Sequence, residues 1–251
     1  YYPVMKLALI GYGKMGHIIE QIARSRGHEI VKIIDIDNNA DIESADFATA
    51  DVAIEFTTPH TAADNCTRAL KAGVNVVSGS TGWADKLPEV EKLAESLGRG
   101  MMWSSNFSIG VNIFMALNRY LARVMNKFPQ YVPDMTETHH VHKLDHPSGT
   151  AVTLAEGIIA ENDRIDRWVE EAPAAEDAMI VSHIRRAEVP GIHEITWESP
   201  IDSISIKHSA KTREGFALGA VMAAEWLASR TGVHSMDEMM HELISSDDTQ
   251  R

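Results

Sequence analysis

Of 251 residues only Cys66 is a cysteine, so no disulfide can form within the chain, and a reducing compartment fits. Basic residues are in the minority: 23 Lys and Arg stand against 36 Asp and Glu, a formal net charge of −13. That balance argues against nucleic acid or an anionic membrane surface as a partner. An anionic ligand must be drawn in by a local basic site rather than by the global field. No apolar run approaches the ~18 residues of a membrane span, no segment reads as a signal peptide, and there are no repeats or low-complexity stretches. The expected location is the cytoplasm. Tyr1-Tyr2-Pro3-Val4 reads as residues appended ahead of a start at Met5. What is present is a chain 44% hydrophobic, long enough for one large domain or two small ones with a real core.

The first half alternates strand and helix. Met5–Ile10 is an apolar run of strand length, followed by Gly11-Tyr12-Gly13-Lys14-Met15-Gly16 and a helical pattern from His17 to Ser25. Glu29–Ile34 is a second strand, ending in Asp35. Strand, G-x-G-x-x-G, helix, strand and acid in that order predict a dinucleotide site. Glycines let a pyrophosphate approach the backbone, the helix start faces the phosphates, and the acid holds ribose hydroxyls. The competing reading is a glycine-rich turn in some other α/β unit. Asp35 would accept from a 2′-OH and repel a 2′-phosphate, so NADH is expected to serve at least as well as NADPH. Asp51–Phe56, Val74–Ser78 and Gly100–Ser105 read as further strands, with helices at His60–Ala72 and Leu87–Leu97. The fold class is α/β, a Rossmann-type doubly wound parallel sheet. Ligands sit outside the carboxyl ends of such strands, so Phe56-Thr57, Gly79-Ser80-Thr81 and Ser104-Ser105-Asn106-Phe107 are candidate cleft walls, or plain turns. Cys66, in a helical pattern, reads as a small buried residue rather than a nucleophile.

After a helix carrying Phe114, Leu117, Leu121, Val124 and Met125 the alternation stops, and Pro129 and Pro133 mark a loop. Met135–Val141 reads as a strand delivering Glu137-Thr138-His139-His140-Val141-His142-Lys143-Leu144-Asp145-His146-Pro147-Ser148-Gly149-Thr150-Ala151. Ser148 or Thr150 is a candidate N-cap for a helix running to about Glu161. A helix start suits a carboxylate or phosphate. Lys143 adds a full charge, and histidines near neutrality give or take protons. The stretch reads as an anion site with acid–base groups beside it. Two other readings compete: ordinary polar strand residues, or a metal cluster. Against the metal, a strand would put His140 and His142 on one face and His139 on the other. Asn162–Ala178 reads as a surface connection. Met179–Ile184, Gly191–Trp197 and Asp202–His208 alternate as strands without helices between them, predicting an antiparallel or mixed sheet in a smaller α+β domain. Arg213–Arg230 and Met236–Leu243 are helical, and the polar tail Ser245–Arg251 is expected to fray.

The glycine turn, Phe56-Thr57-Thr58-Pro59, Gly79–Gly82, Asn106–Asn112, the Glu137–Ala151 string and His208–Ala220 together resemble the 4-hydroxy-tetrahydrodipicolinate reductase family. Departures are a first glycine turn one residue short, Glu55 for aspartate, Ser80 for threonine, His146 for alanine, and Ser104-Ser105. The resemblance implies a dinucleotide-binding domain at 1–107 and 215–251, and a substrate-binding and tetramerisation domain at 108–214, hinged together. It implies NAD(P)H-dependent reduction of a cyclic dicarboxylate imine in the diaminopimelate route to lysine. By position His139 is then the general acid/base and Lys143 the proton donor, with His140, Ser148, Gly149 and Thr150 as carboxylate binders and no metal. Two alternatives stay open: another NAD(P)-dependent dehydrogenase of aspartate-semialdehyde or homoserine type, and a non-catalytic dinucleotide sensor.

Overall fold

The structure, a computed structural model, describes residues 3–172 and 175–245, so Tyr1, Tyr2 and nearly all of the tail expected to fray lie outside the described residues. In chain order the elements are β1 (Lys6–Ile10), α1 (Lys14–Ser25), β2 (Glu29–Ile34), β3 (Val52–Glu55), α2 (Ala62–Lys71), β4 (Asn75–Ser78), α3 (Leu87–Leu97) and β5 (Gly100–Trp103). Then come α4 (Ile109–Met125), β6 (Val132–His139), α5 (Gly149–Glu161), β7 (Arg167–Val169), β8 (Ala178–Arg185), β9 (Ile192–Glu198) and β10 (Ser203–Ser209). The chain closes with α6 (Glu214–Leu227), β11 (Gly232–His234) and α7 (Met236–Ser245). Two compact units result: Tyr1–Ile109 with Glu214–Arg251, and Gly110–Arg213.

The first unit is a parallel sheet in the order β11-β5-β4-β3-β1-β2. Its inner strands are buried on both faces, as runs of branched apolar residues require. Alternate residues point to opposite sides. Leu7, Leu9, Val52, Ile54 and Val77 pack in one core with Ile19 of α1 and Ala220 of α6. Ala8, Ile10, Ala53 and Val76 pack in the other with Cys66 and Ala69 of α2. Chain order reverses between β1 and β3, and that switch point is where such sheets open a crevice. Two short 3₁₀ segments, Ile36–Glu43 and Phe47–Thr49, fill the connection after β2, and β11 adds an edge strand; neither is expected from the sequence.

The second unit is a mixed five-stranded sheet, β10-β9-β6-β8-β7. β6 pairs antiparallel with β9 and parallel with β8. Met135, Met179, Val181, Ile195 and Trp197 pack against Phe114 and Ala122 of α4 and Leu154 and Ile158 of α5. Three expectations are corrected. Pro133 lies inside β6 rather than in a loop: it is the strand's second residue, opposite Trp197, before the pairing with β8 begins, so no ladder bond on that side needs its missing N–H. β6 ends at His139, and Val141 and His142 lie in a turn, so strand alternation does not govern His140 and His142. The supposed surface connection contains β7, paired in parallel with β8. Among the described residues no helix is long and apolar enough to cross a membrane.

Candidate active site

In the first unit, Gly11 follows β1 at φ +93°, and a Cβ there would lie 2.1 Å from the Phe56 carbonyl oxygen. Only glycine fits that backbone and that contact. Gly16 packs α1 onto the same turn, since its Cβ would lie 2.3 Å from the Gly11 carbonyl oxygen. Gly13 differs: nothing lies within 4 Å of the place its Cβ would take. It is the N-cap of α1, with no side-chain cap and no acid in the first turn. Open space beside unpartnered N–H groups at the positive end of a helix fits a pyrophosphate, so the residues present suit a dinucleotide.

A cleft of about 660 Å³ opens there, walled by Gly11, Tyr12, Gly13, Asp35, Phe56 and Thr57 among others, with no lysine or arginine in its wall among the described residues. Asp35 is exposed at the end of β2, its N–H donating to Asn38 Oδ1 at 2.7 Å. Lys14 and Met15 form the first turn of α1. Gly79, Ser80 and Thr81 follow β4, and Ser104–Phe107 follow β5; none of them walls this cleft. The Gly79 Cβ position is filled by the Phe56 ring at 2.2 Å. Trp83 and Trp103 both donate their indole N–H to the Ser80 carbonyl at 2.8 Å, pinning the turn. Ser104 and Asn106 bond each other, and Phe107 is core. Beneath Thr57 lies Glu55, wholly buried. It accepts from the Thr57 N–H (2.9 Å) and from the hydroxyls of Thr57 (2.5 Å), Ser78 (2.5 Å) and Ser80 (2.8 Å).

In the second unit β6 carries His139 to its end. The ring is buried, with Nδ1 3.0 Å from Glu137 Oε2, close enough to attract but out of line for a hydrogen bond. Glu137 is fully buried, and its Oε1 accepts from the Ser148 N–H at 3.1 Å and from Arg185 Nη2 at 3.0 Å. Burial by itself raises the pKa of this carboxyl; His139, the Ser148 N–H and Arg185 outweigh it and hold it at about 2. His193 of β9 stands opposite Glu137 in register, its Nε2 3.2 Å from Ser148 Oγ and its ring 5.1 Å from that of His139. Burial first, then the proximity of His139, lowers the His193 pKa to about 4.

Arg185, opposite His139 on β8, straps the following loop. It donates to the carbonyls of Lys143 (3.3 Å) and Asp145 (2.7 Å) as well as to Glu137. The Lys143 side chain is 22% exposed, its Nζ held by both Asp145 oxygens at 2.8 and 2.9 Å. That hydrogen bond is the main reason the Asp145 carboxyl lies below its ordinary range. Ser148 is the N-cap of α5, Oγ accepting from the Ala151 N–H at 3.2 Å, and Gly149 and Thr150 open the helix. Because the Ser148 N–H already serves Glu137, anion contacts from this turn fall to the residues after it. His140 Nδ1 is buried without a hydrogen-bond partner among the described residues, a group suited to an incoming carboxylate. His142 points away to an exposed pair with Glu188 at 3.3 Å. Of the predicted set, His139, His140, Lys143 and Ser148–Thr150 therefore gather at one end of β6. The sequence reading assigned no role to Glu137, Asp145, Arg185 or His193. The available signal was Glu137 itself, two residues before His139 and so on the same face of a strand.

Comparison with known proteins gives the family. The family model for the dihydrodipicolinate reductase N-terminus matches residues 5–107, and that for the C-terminus residues 110–240. A 4-hydroxy-tetrahydrodipicolinate reductase from Christiangramia forsetii is 43% identical over 96% of this chain and 100% of its own length. One from Archaeoglobus fulgidus is 34% identical over 94% and 100%. The solved dipicolinate-bound dihydrodipicolinate reductase from Paenisporosarcina sp. TG-14 shares the fold, with a TM-score of 0.76 at 21% identity, covering 93% of this chain and 98% of that one. With both family models matching in series and these relatives alike along their whole length, the chain belongs to the dihydrodipicolinate reductase family.

Proposed function

We propose that Lys143 and His139 carry the proton chemistry of this oxidoreductase. It reduces 4-hydroxy-tetrahydrodipicolinate (dihydrodipicolinate) to tetrahydrodipicolinate, on the diaminopimelate route to lysine. A reduced nicotinamide nucleotide supplies the hydride when bound. Gly11–Gly16, Asp35, Phe56-Thr57, Gly79-Ser80-Thr81 and Ser104–Phe107 are its proposed contacts, with residues 1–107 and 215–251 holding the nucleotide and 108–214 the substrate.

Loss of the 4-hydroxyl as water leaves a conjugated C=C–C=N system, and hydride addition to it builds negative charge, which needs a proton within reach and a cation beside it. Lys143 supplies both. Asp145 holds its ammonium in a sheltered place rather than free in water. His139, buried with the Glu137 carboxylate 3.0 Å from its Nδ1, is the second acid–base group. The substrate carboxylates are received at the Ser148-Gly149-Thr150 turn, through the backbone N–H groups that follow Ser148, and by His140. The observation that carries this reading is the convergence of His139, Lys143 and the start of α5 on the end of one strand.

Asp35 favours NADH at least equally, since an exposed carboxylate accepts from a 2′-OH and repels a 2′-phosphate, and among the described residues the cleft wall offers no lysine or arginine to offset it. The proposed assembly is a cytoplasmic homotetramer built through the second sheet, where Val132, Ile184 and Ile204 stand exposed. A monomeric mass by light scattering removes it.

The test mixes the enzyme with freshly made synthase product and NADH or NADPH and follows loss of reduced-nicotinamide absorbance. Lys143→Ala is expected to abolish kcat with the circular dichroism unchanged. Lys143→Arg does not rescue it, because a guanidinium keeps its proton. A near-parental kcat in either variant removes Lys143 from the mechanism. A strong preference for NADPH removes the role given to Asp35.

A further inference from the structure

Beyond the reductase chemistry, we propose a binding site for a divalent transition ion of the zinc type, formed by His146, Glu170 and His183. The three residues come from different segments: His146 from the loop ahead of α5, Glu170 from the residue after β7, and His183 from β8. One donor atom from each lies within 4.8 Å of the other two. His146 Nδ1 is 2.8 Å and His183 Nδ1 3.3 Å from the same oxygen, Glu170 Oε2. The two imidazoles stack at 4.4 Å between centroids with 21° between planes, so both Nδ1 atoms face one carboxylate.

Zinc takes nitrogen and carboxylate ligands at about 2.0–2.2 Å, which puts donors in a tetrahedral set on the order of 3.3 Å apart. The two nitrogen-to-oxygen spacings are already near that value, and the third lies within 4.8 Å, so the ion is gained by turning the stacked rings until both Nδ1 lone pairs converge on it. All three are partly exposed, 53%, 33% and 35% for His146, Glu170 and His183, so an ion can enter from solution and water can complete its shell. The plain alternative is an exposed ion pair, which stabilises little. It also leaves two stacked rings sharing one carboxylate oxygen. A dication satisfies all three donors. Two imidazoles select against Mg²⁺ and Ca²⁺, which favour oxygen ligands.

The consequence is local. His146 lies between Asp145, which holds Lys143, and Ser148, which caps α5. An ion there ties the loop carrying those groups to the β7–β8 edge of the sheet. A second possible cluster, Glu137, His139 and His193, is buried in the site described above, and the test separates the two.

The experiment titrates Zn²⁺ into the full chain, free of any affinity tag and dialysed against chelator, by calorimetry and by competition with a chromophoric chelator. One equivalent per chain is expected in the parent. His146→Ala, His183→Ala and the near-isosteric Glu170→Gln each weaken it by about tenfold or more, with circular dichroism unchanged. His193→Gln leaves it intact, and excess Mg²⁺ does not displace it. No stoichiometric equivalent, an affinity unmoved by those three substitutions, loss of the ion in His193→Gln, or displacement by Mg²⁺ each overturns the proposal.

Discussion

Replacing Glu137 with glutamine keeps the side chain's shape and an acceptor for the Ser148 N–H, but removes the charge that faces Arg185 and His139. The carboxyl's pKa falls from 4.5 to about 2 in the fold. At about 1.4 kcal/mol per unit, the folded protein favours the ionised form by roughly 3 kcal/mol. The pKa is depressed, so this stabilisation is fully present above about 4.5 and disappears as pH falls through about 2. Glu137→Gln should therefore lower Tm at neutral pH by on the order of 5–10 °C. The gap between parent and variant should narrow, without closing, as the buffer is taken from about pH 7 to about pH 3. Catalysis should suffer as well, because the His139 ring loses the negative charge beside it; kcat is expected to drop by roughly 10². Scanning calorimetry across the pH series and the nicotinamide assay on the same preparations give both readouts. A Tm gap that stays constant down to the acid end, or a variant with parental kcat, refutes the reasoning that the charge rather than the shape of Glu137 matters.

Gly13→Val should raise the Kd for nucleotide sharply with Tm nearly unchanged, because its Cβ enters open space. Gly11→Ala should instead destabilise the first unit, because its Cβ would meet Phe56 backbone at positive φ. Nucleotide titration beside thermal melts of both variants tells them apart, and equal effects on Tm would refute the contrast. The buried His193 imidazole gains its proton near 6.5 in the unfolded chain but only at about 4 in the fold. Stability is whole above 6.5 and declines from there toward 4. His193→Gln should flatten that part of the stability–pH curve, and an unchanged slope in the variant would remove His193 as its source.

The nucleotide half was legible because its signal is local. The G-x-G-x-x-G turn sits directly between an apolar run and a helical pattern, and the structure places Gly11, Gly13 and Asp35 on one cleft. The second site was legible only along β6 and its loop. Glu137 meets His193 through the pairing of β6 with β9, and His139 meets Arg185 through the pairing with β8. Register between strands far apart in sequence is set by tertiary packing, which no periodicity in one segment records. β7 and β11 escaped notice for a different reason: three residues hold less than two periods of alternation. Pro133 misled because proline usually excludes a strand, and here it occupies a place where its missing N–H costs nothing.

Glu55 has a consequence for the direction of every hydroxyl above it. A carboxylate only accepts, so the Thr57 hydroxyl must give its proton downward. Thr57 Oγ1 is then left to receive, and Thr61 donates to it. With that proton on Thr57 at 3.0 Å rather than on the more distant Thr58 carbonyl at 3.4 Å, Thr61 receives from the Thr58 hydroxyl, 2.9 Å away at the lip of the crevice. One sealed anion thus orders a file of three threonines, proton by proton, and turns lone pairs outward at its far end. Whatever docks against Thr58 has to arrive bearing hydrogens on nitrogen or oxygen.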